Sequence, residues 1–409
     1  MSDAALLARA PRLARRASRM QASEIRELLK IIEQPGVISF AGGIPDPALF
    51  PVDAIRQHYS DILSDPASAG RALQYSVSEG DADLRDWIVD HMRSRGVICD
   101  RDNILITSGS QQALEFAAKL FLSPGDTALV TAPTYLGALQ AFAASEPVFR
   151  DLDIADIDAT VAQFREPADS SDCKFAYVVP DFANPSGETM DLAARRRLLD
   201  LAETLDIAII EDSPYAALRY EGEPVAPIQA LDLAGGRTID HSRVVFCGSF
   251  SKVFTPGLRL GWVCASRDLI RRLVLIKQSS DLNAPALNQM VVARLTADHF
   301  DRQAERAQAH YRAKRDAMLE ALSRHMPAHA RWSEPEGGMF IWLTAGAGID
   351  TAALLPRAIE EARVAYVPGR AFYADGRTSD AMRLSFSLPD CAQIRAGVER
   401  LAALVRQAG

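Results

Sequence analysis

Four short segments of this chain carry residue types that could do chemistry together. Gly248-Ser249-Phe250-Ser251-Lys252 sets two hydroxyls at alternate positions before a lysine, and Pro256-Gly257-Leu258-Arg259 adds an arginine shortly after. A lysine forms imines readily once desolvation lowers its pKa, and hydroxyls beside an arginine suit a phosphate. A surface turn could use the same residues, but the chain holds only six lysines against thirty-nine arginines. Thr107-Ser108-Gly109-Ser110-Gln111-Gln112 reads as the opening of a helix. Backbone amides at a helix start cradle a phosphate, and the same Ser-x-x-Gln spacing also makes an ordinary N-cap. Glu211-Asp212-Ser213-Pro214-Tyr215 follows an apolar run. A carboxylate there costs desolvation unless a cation, such as a protonated ring nitrogen, meets it. Asn184-Pro185-Ser186-Gly187 alone reads as a plain turn.

Together, a phosphate cradle, an imine-forming lysine, a carboxylate for a ring nitrogen and an amide for a phenolic oxygen describe a pyridoxal phosphate site. Such a site needs strands to present it. Apolar runs precede the polar segments: Ile104 to Thr107, Ala128 to Thr131, Ala176 to Val179, Ile207 to Ile210, Val244 to Cys247 and Leu260 to Ala265. Helical patterns alternate with them at Gln111 to Leu122, Leu136 to Ala143 and Leu192 to Leu205. Continuous apolar strands alternating with helices predict an α/β fold with a mostly parallel central sheet covered on both faces. Ligands in such sheets sit beyond the carboxyl ends of the strands, where the four segments fall.

A long charged helix is predicted over Ala297 to Arg324. Short strands follow at Met339 to Leu343, Ala365 to Val367 and Met382 to Phe386, then a helix from Ala392 to Gln407. The expected division is an arm over 1–20, a segment over 21–50 joining the small domain, a large cofactor domain over 51–295 and a smaller α+β domain over 296–409. Ser23 to Ile32 is expected to form a short helix. The five arginines of the first twenty residues lack interleaved aromatics and read as a solvated arm rather than a nucleic-acid contact.

The 409 residues carry a net charge of −8, which gives no chain-wide attraction to nucleic acid or anionic membrane. No apolar run approaches the length of a membrane span. Five cysteines, none in a Cys-x-x-Cys pair, argue against a disulfide framework or structural zinc and fit a cytoplasmic protein. His325 and His329 have a metal-like spacing, but Pro327 lies between them, and no metal is expected.

The order Ser-Gly-Ser-Gln-Gln, Pro-Thr-Tyr, Asn-Pro-Ser-Gly, Asp-x-x-Tyr, Ser-Phe-Ser-Lys, Pro-Gly-x-Arg and Met-Arg-Leu-Ser-Phe resembles fold-type I pyridoxal phosphate-dependent aminotransferases of class I/II. The resemblance runs from about residue 18 to 405. Ile25-Arg26-Glu27 and Ser39-Phe40-Ala41-Gly42-Gly43-Ile44-Pro45 make it most similar to the 2-aminoadipate and kynurenine aminotransferase group. The resemblance implies that Lys252 holds the cofactor as a Schiff base and moves the substrate Cα proton. Asp212 would bind the ring nitrogen, Asn184 and Tyr215 the ring oxygen, and Tyr135 would stack on the ring. Ser110, Gln111, Ser249, Ser251 and Arg259 would hold the phosphate, with Tyr75 reaching the phosphate of the neighbouring subunit of a homodimer. Arg383 would clamp the substrate α-carboxylate, Gly43 would approach it, and Arg26 would meet the far end of the side chain. The implied reaction passes an amino group from an amino acid to a 2-oxo acid, 2-oxoglutarate being expected, with ping-pong kinetics. Racemase, β-lyase or decarboxylase chemistry on the same fold stays open, as does a regulator's effector domain, which would need an N-terminal winged helix. Ala183, Ser186 and Val253-Phe254 depart from the group's pattern and bear on the substrate.

Overall fold

The computed structural model describes residues 13–14, 16–17, 36–164, 172–346 and 348–408. The helix expected over Ser23 to Ile32, with Arg26 on it, lies outside the described residues. The strands in chain order are β1 (Ile38–Ser39), β2 (Ile104–Thr107), β3 (Thr127–Val130), β4 (Val148–Asp151), β5 (Cys173–Val178), β6 (Ala208–Ser213), β7 (Val244–Ser249), β8 (Gly261–Cys264), β9 (Arg331–Trp332), β10 (Phe340–Thr344), β11 (Val364–Ala365), β12 (Val367–Pro368) and β13 (Ala381–Ser385). Seven of them form the central sheet in the order β2-β8-β7-β6-β5-β3-β4. All neighbours pair in parallel except β8, which runs antiparallel to both β2 and β7.

The apolar runs become strands because both sheet faces are covered and alternate side chains enter different cores. In β7, Val245 and Cys247 join one apolar cluster while Phe246 joins another. In β2, Leu105 and its neighbours Ile104 and Ile106 divide in the same way. β4 has no counterpart among the expected strands: Val148-Phe149-Arg150-Asp151 is half exposed and pairs only with β3, so its sequence lacks a buried strand's pattern.

The long helix begins at Ala286, not Ala297, and continues to His325. Pro285 precedes its first turn, and Met290, Val291, Val292 and Leu295 are buried in the second cluster. It passes residues 295 and 296 unbroken, so the division expected there falls inside a helix. Strands β12, β13, β10 and β9 form a smaller antiparallel sheet in that order. The run Ala365 to Val367 is two strands rather than one. β11 pairs with β1, β12 pairs with β13, and buried Tyr366 marks the change of sheet. The β1–β11 pair fastens the 38–39 segment to this part of the chain. Among the described residues, no helix is long and apolar enough to cross a membrane.

Candidate active site

Strands β2, β5, β6 and β7 all point their carboxyl ends to one side of the sheet, and the polar segments meet there. Period-two alternation divides the adjacent acids of β6. Glu211 turns to one face and accepts hydrogen bonds from the Ile228 and Gln229 amides at 2.9 and 3.0 Å, capping the helix Ile228–Leu233. Asp212 turns to the other face, 2 % exposed. Its Oδ2 accepts a hydrogen bond of 2.9 Å from the Tyr177 hydroxyl, while its Oδ1 has no partner. Burial pushes this carboxyl up to about 7, against the Tyr177 hydrogen bond and the Lys252 charge, which pull it down.

Lys252 follows β7, and its Nζ donates to the Gly43 carbonyl at 3.3 Å. Burial, with the nearby Arg383 and Arg259 charges, brings its amine down to about 8, and Asp212 opposes them. A lysine at that value is largely protonated at pH 7 yet titrates close to neutrality, as an amine that must lose and regain a proton requires. The Nζ also lies 5.8 Å from the centre of the Tyr215 ring. Tyr215 is buried, packs edge-on to Phe340 and bonds Asn184; burial chiefly holds its phenol protonated.

The phosphate-binding candidates also converge. The helix Ser110–Phe121 starts after Gly109, whose φ of +82° supplies the turn and whose position has no side-chain cap. A Cβ at Gly109 would lie 2.9 Å from Arg259 Nη2, so the guanidinium sits against the amide end of this helix, donating to the Ser108 carbonyl at 3.2 Å. Gly261 on β8 passes so close that a Cβ would lie 2.7 Å from the Ser110 nitrogen. Ser249 and Ser251 are buried, and the Ser249 hydroxyl accepts from the Ser251 amide at 3.1 Å. Gln111 donates to the Gly137 carbonyl at 2.6 Å and accepts from the Tyr135 hydroxyl at 3.4 Å. Burial chiefly pushes the Tyr135 phenol up to about 12.

Arg383 on β13 is 1 % exposed. Its Nη1 donates to Asn184 Oδ1 at 2.8 Å and its Nη2 to the Ala41 carbonyl at 2.6 Å, while Nε has no partner. The guanidinium lies between the rings of Phe340 and Phe372, 4.4 and 5.2 Å from their centres. Burial brings it down to about 10, so it stays charged at neutral pH. Gly43 has no room for a side chain: a Cβ would come within 2.8 Å of the Phe340 ring.

A buried carboxylate with a free oxygen, a desolvated lysine and a helix amide end flanked by hydroxyls and arginine fit pyridoxal phosphate by charge and donor set. Tyr75, in contrast, is 80 % exposed and is not brought to this cluster within one chain. Tyr177, Phe340 and the Ala41 carbonyl were not singled out from the sequence. Tyr177 carried a signal, a phenol two positions before the end of an otherwise aliphatic run. Phe340 and Ala41 carried none.

Comparison with known proteins agrees with this geometry. Residues 36–401 match the family model of aminotransferase class I and II. The chain belongs to this family. Aromatic-amino-acid aminotransferase 1 of Thermococcus litoralis is 41 % identical over 95 % of this chain and 92 % of its own length. A kynurenine aminotransferase structure from Pyrococcus horikoshii, with pyridoxamine phosphate (PMP), is 40 % identical, with a TM-score of 0.89 over 97 % of each chain. An α-aminoadipate aminotransferase from Thermus thermophilus, complexed with N-(5′-phosphopyridoxyl)-L-leucine, is 36 % identical, with a TM-score of 0.87 over 97 % of each chain. As a class I and II aminotransferase, this protein is a pyridoxal phosphate-dependent enzyme of fold type I.

Proposed function

We propose that this aminotransferase takes the amino group of an L-amino acid with an aromatic or long acidic side chain and delivers it to 2-oxoglutarate, with ping-pong kinetics. The observation that carries this reading is the alignment of Lys252, Asp212 and Arg383 in one buried site. The related aminotransferases of aromatic amino acids, kynurenine and α-aminoadipate support the donor class.

When bound, pyridoxal phosphate supplies an electron sink for the pair left at Cα. The remaining work falls to the chain. Asp212, through its unpartnered Oδ1, would accept a hydrogen bond from the ring nitrogen and so keep that nitrogen protonated. Asn184 and Tyr215 would hold the ring oxygen, and Tyr135 would cover the ring. The Ser110 amide end, Gln111, Ser249, Ser251 and Arg259 would hold the phosphate. Arg383 would grip the α-carboxylate with its planar fork and so fix the orientation of the bonds at Cα. Lys252 Nζ, near neutrality in its titration, removes the Cα proton and holds it for return. Gly43 would approach the carboxylate through its backbone, since a side chain there would collide with the Phe340 ring.

We read the working unit as a homodimer with shared sites. Exposed Tyr75 alternates with exposed Leu73 and Val77, three large side chains left uncovered within one chain and suited to a second subunit. All five cysteines are free, which suits the cytoplasm. A donor panel with 2-oxoglutarate, followed by glutamate formation, tests the function. Turnover of tyrosine, kynurenine or 2-aminoadipate is expected. Absence of glutamate with every donor would favour lyase or racemase chemistry instead.

A further inference from the structure

Two stretches of backbone meet Arg383. One is the segment 40–46, which offers the Ala41 carbonyl to Arg383 and the Gly43 carbonyl to Lys252. The other is the end of β13 and the residues after it. The two are laced together: the Ser385 amide donates to the Phe40 carbonyl at 2.8 Å, and the Ser387 hydroxyl to the Ile44 carbonyl at 2.7 Å. A third element, the long helix Ala286–His325, reaches both. Lys314 on this helix has a side chain only 6 % exposed. Its Nζ donates to Asp46 Oδ2 at 2.6 Å, to the Ser387 carbonyl at 2.8 Å and to the Leu388 carbonyl at 3.2 Å. All three ammonium protons are therefore used. The same helix adds Tyr311, whose hydroxyl accepts from the Asp46 amide at 2.9 Å, and His310, whose Nε2 lies 2.9 Å from Asp46 Oδ2.

We propose that Lys314 is a positioning residue for substrate carboxylate binding, tying the 40–46 segment to the strand end that carries Arg383. It touches neither the substrate nor the cofactor. A buried ammonium with three good acceptors is costly to assemble unless the geometry is fixed, and here the fixed geometry joins the two backbones that frame the carboxylate. Burial works against the Asp46 carboxylate, but hydrogen bonds from Lys314, Ala48 and His310 hold it below its ordinary range, so the carboxylate stays charged at neutral pH. Small displacements at a binding fork are expensive because orientation is lost with position. Without Lys314, the Ser387 and Leu388 carbonyls and the Asp46 carboxylate each lose a partner, leaving this end of the segment tied to its neighbours through Ser387, Tyr311 and His310.

The inference rests on Arg383 as the carboxylate clamp, so it is tested beside Arg383→Ala. The probe is 3-phenylpropionate, a non-reactive carboxylate, titrated calorimetrically into the cofactor-loaded enzyme. Lys314→Met should weaken it about tenfold, the size of one charged hydrogen bond. KM should rise by a similar factor for glutamate and tyrosine alike, with kcat within about threefold and the cofactor still bound. The double variant Asp46→Asn/Lys314→Met removes the unpaired carboxylate, should fold at least as well, and should bind the probe as weakly. Unchanged probe affinity in the double variant, or wild-type affinity regained there after loss in Lys314→Met, overturns the inference. Loss with Arg383→Ala but not with the Lys314 variants refutes the inference alone. No loss with Arg383→Ala refutes the clamp itself.

Discussion

Asp212→Asn should lower activity while stabilising the cofactor-free protein at neutral pH. The carboxyl is buried, one oxygen is held by Tyr177 and the other has no partner. Burial raises it from 3.8 to about 7 in the folded state. A folded-state value above the unfolded one means that the folded protein binds the proton more tightly. This contribution is complete below about pH 4 and is lost as pH rises from there to about 7. The gap corresponds to roughly 4 kcal/mol at most. Asparagine is uncharged throughout, so the cofactor-free variant should exceed the wild type in stability above pH 7, by an amount that shrinks toward pH 5. With the cofactor bound the sign should reverse, on the proposed role of Asp212 as partner to the ring nitrogen's charge. A lost charged hydrogen bond weakens cofactor binding by about 1.5–3 kcal/mol. Losing preorganised charge in a dry site costs about 3–4 kcal/mol of barrier, or about 10²–10³ in kcat. Urea unfolding of both cofactor-free proteins at pH 5 and pH 8, beside kcat at saturating cofactor, measures both effects. A less stable cofactor-free variant at pH 8, or an unchanged kcat, would refute the reasoning.

Three further outcomes follow from the proposed residue roles. Arg383→Ala should lower kcat/KM by about 10²–10⁴ for every donor, since two charged hydrogen bonds at roughly 1.5–3 kcal/mol each are lost to a carboxylate all amino acids share; a loss confined to acidic donors would reassign the residue. Mixing Lys252→Ala chains with Tyr75→Phe chains should restore activity above either parent, because a shared-site dimer then contains one intact site; sedimentation showing an active monomer would exclude this. Arg26→Ala should lower kcat/KM about ten- to a hundredfold for 2-aminoadipate and glutamate while sparing leucine, the size of one charged hydrogen bond; equal loss for both donors would make Arg26 structural.

The strand ends were legible because parallel strands buried on both faces give continuous apolar runs that polar residues end abruptly. This puts Asp212, Ser249 and Lys252 at the carboxyl ends of strands, and the β6–β7 pairing brings those ends together. Composition alone could not divide Glu211 from Asp212; the pleat did, sending one to cap a helix and the other to the site. Tyr177 was harder to find because its hydroxyl reaches Asp212 across neighbouring strands, a relation set by register rather than by local pattern. The long helix was foreshortened in the sequence because its first turns are apolar and read like core, whereas its charged later turns show a solvated face. Lys314 sits within those charged turns, indistinguishable there from a solvent-facing lysine, yet the fold buries it against Asp46 and two carbonyls.

The central claim is that Lys252 carries the cofactor, and borohydride reduction of the purified cofactor-loaded enzyme followed by peptide mapping tests it most directly. The account predicts a reduced pyridoxyl adduct on Lys252, with none formed in Lys252→Ala. An adduct on Lys30, Lys119, Lys174, Lys277 or Lys314 in place of Lys252 would contradict it.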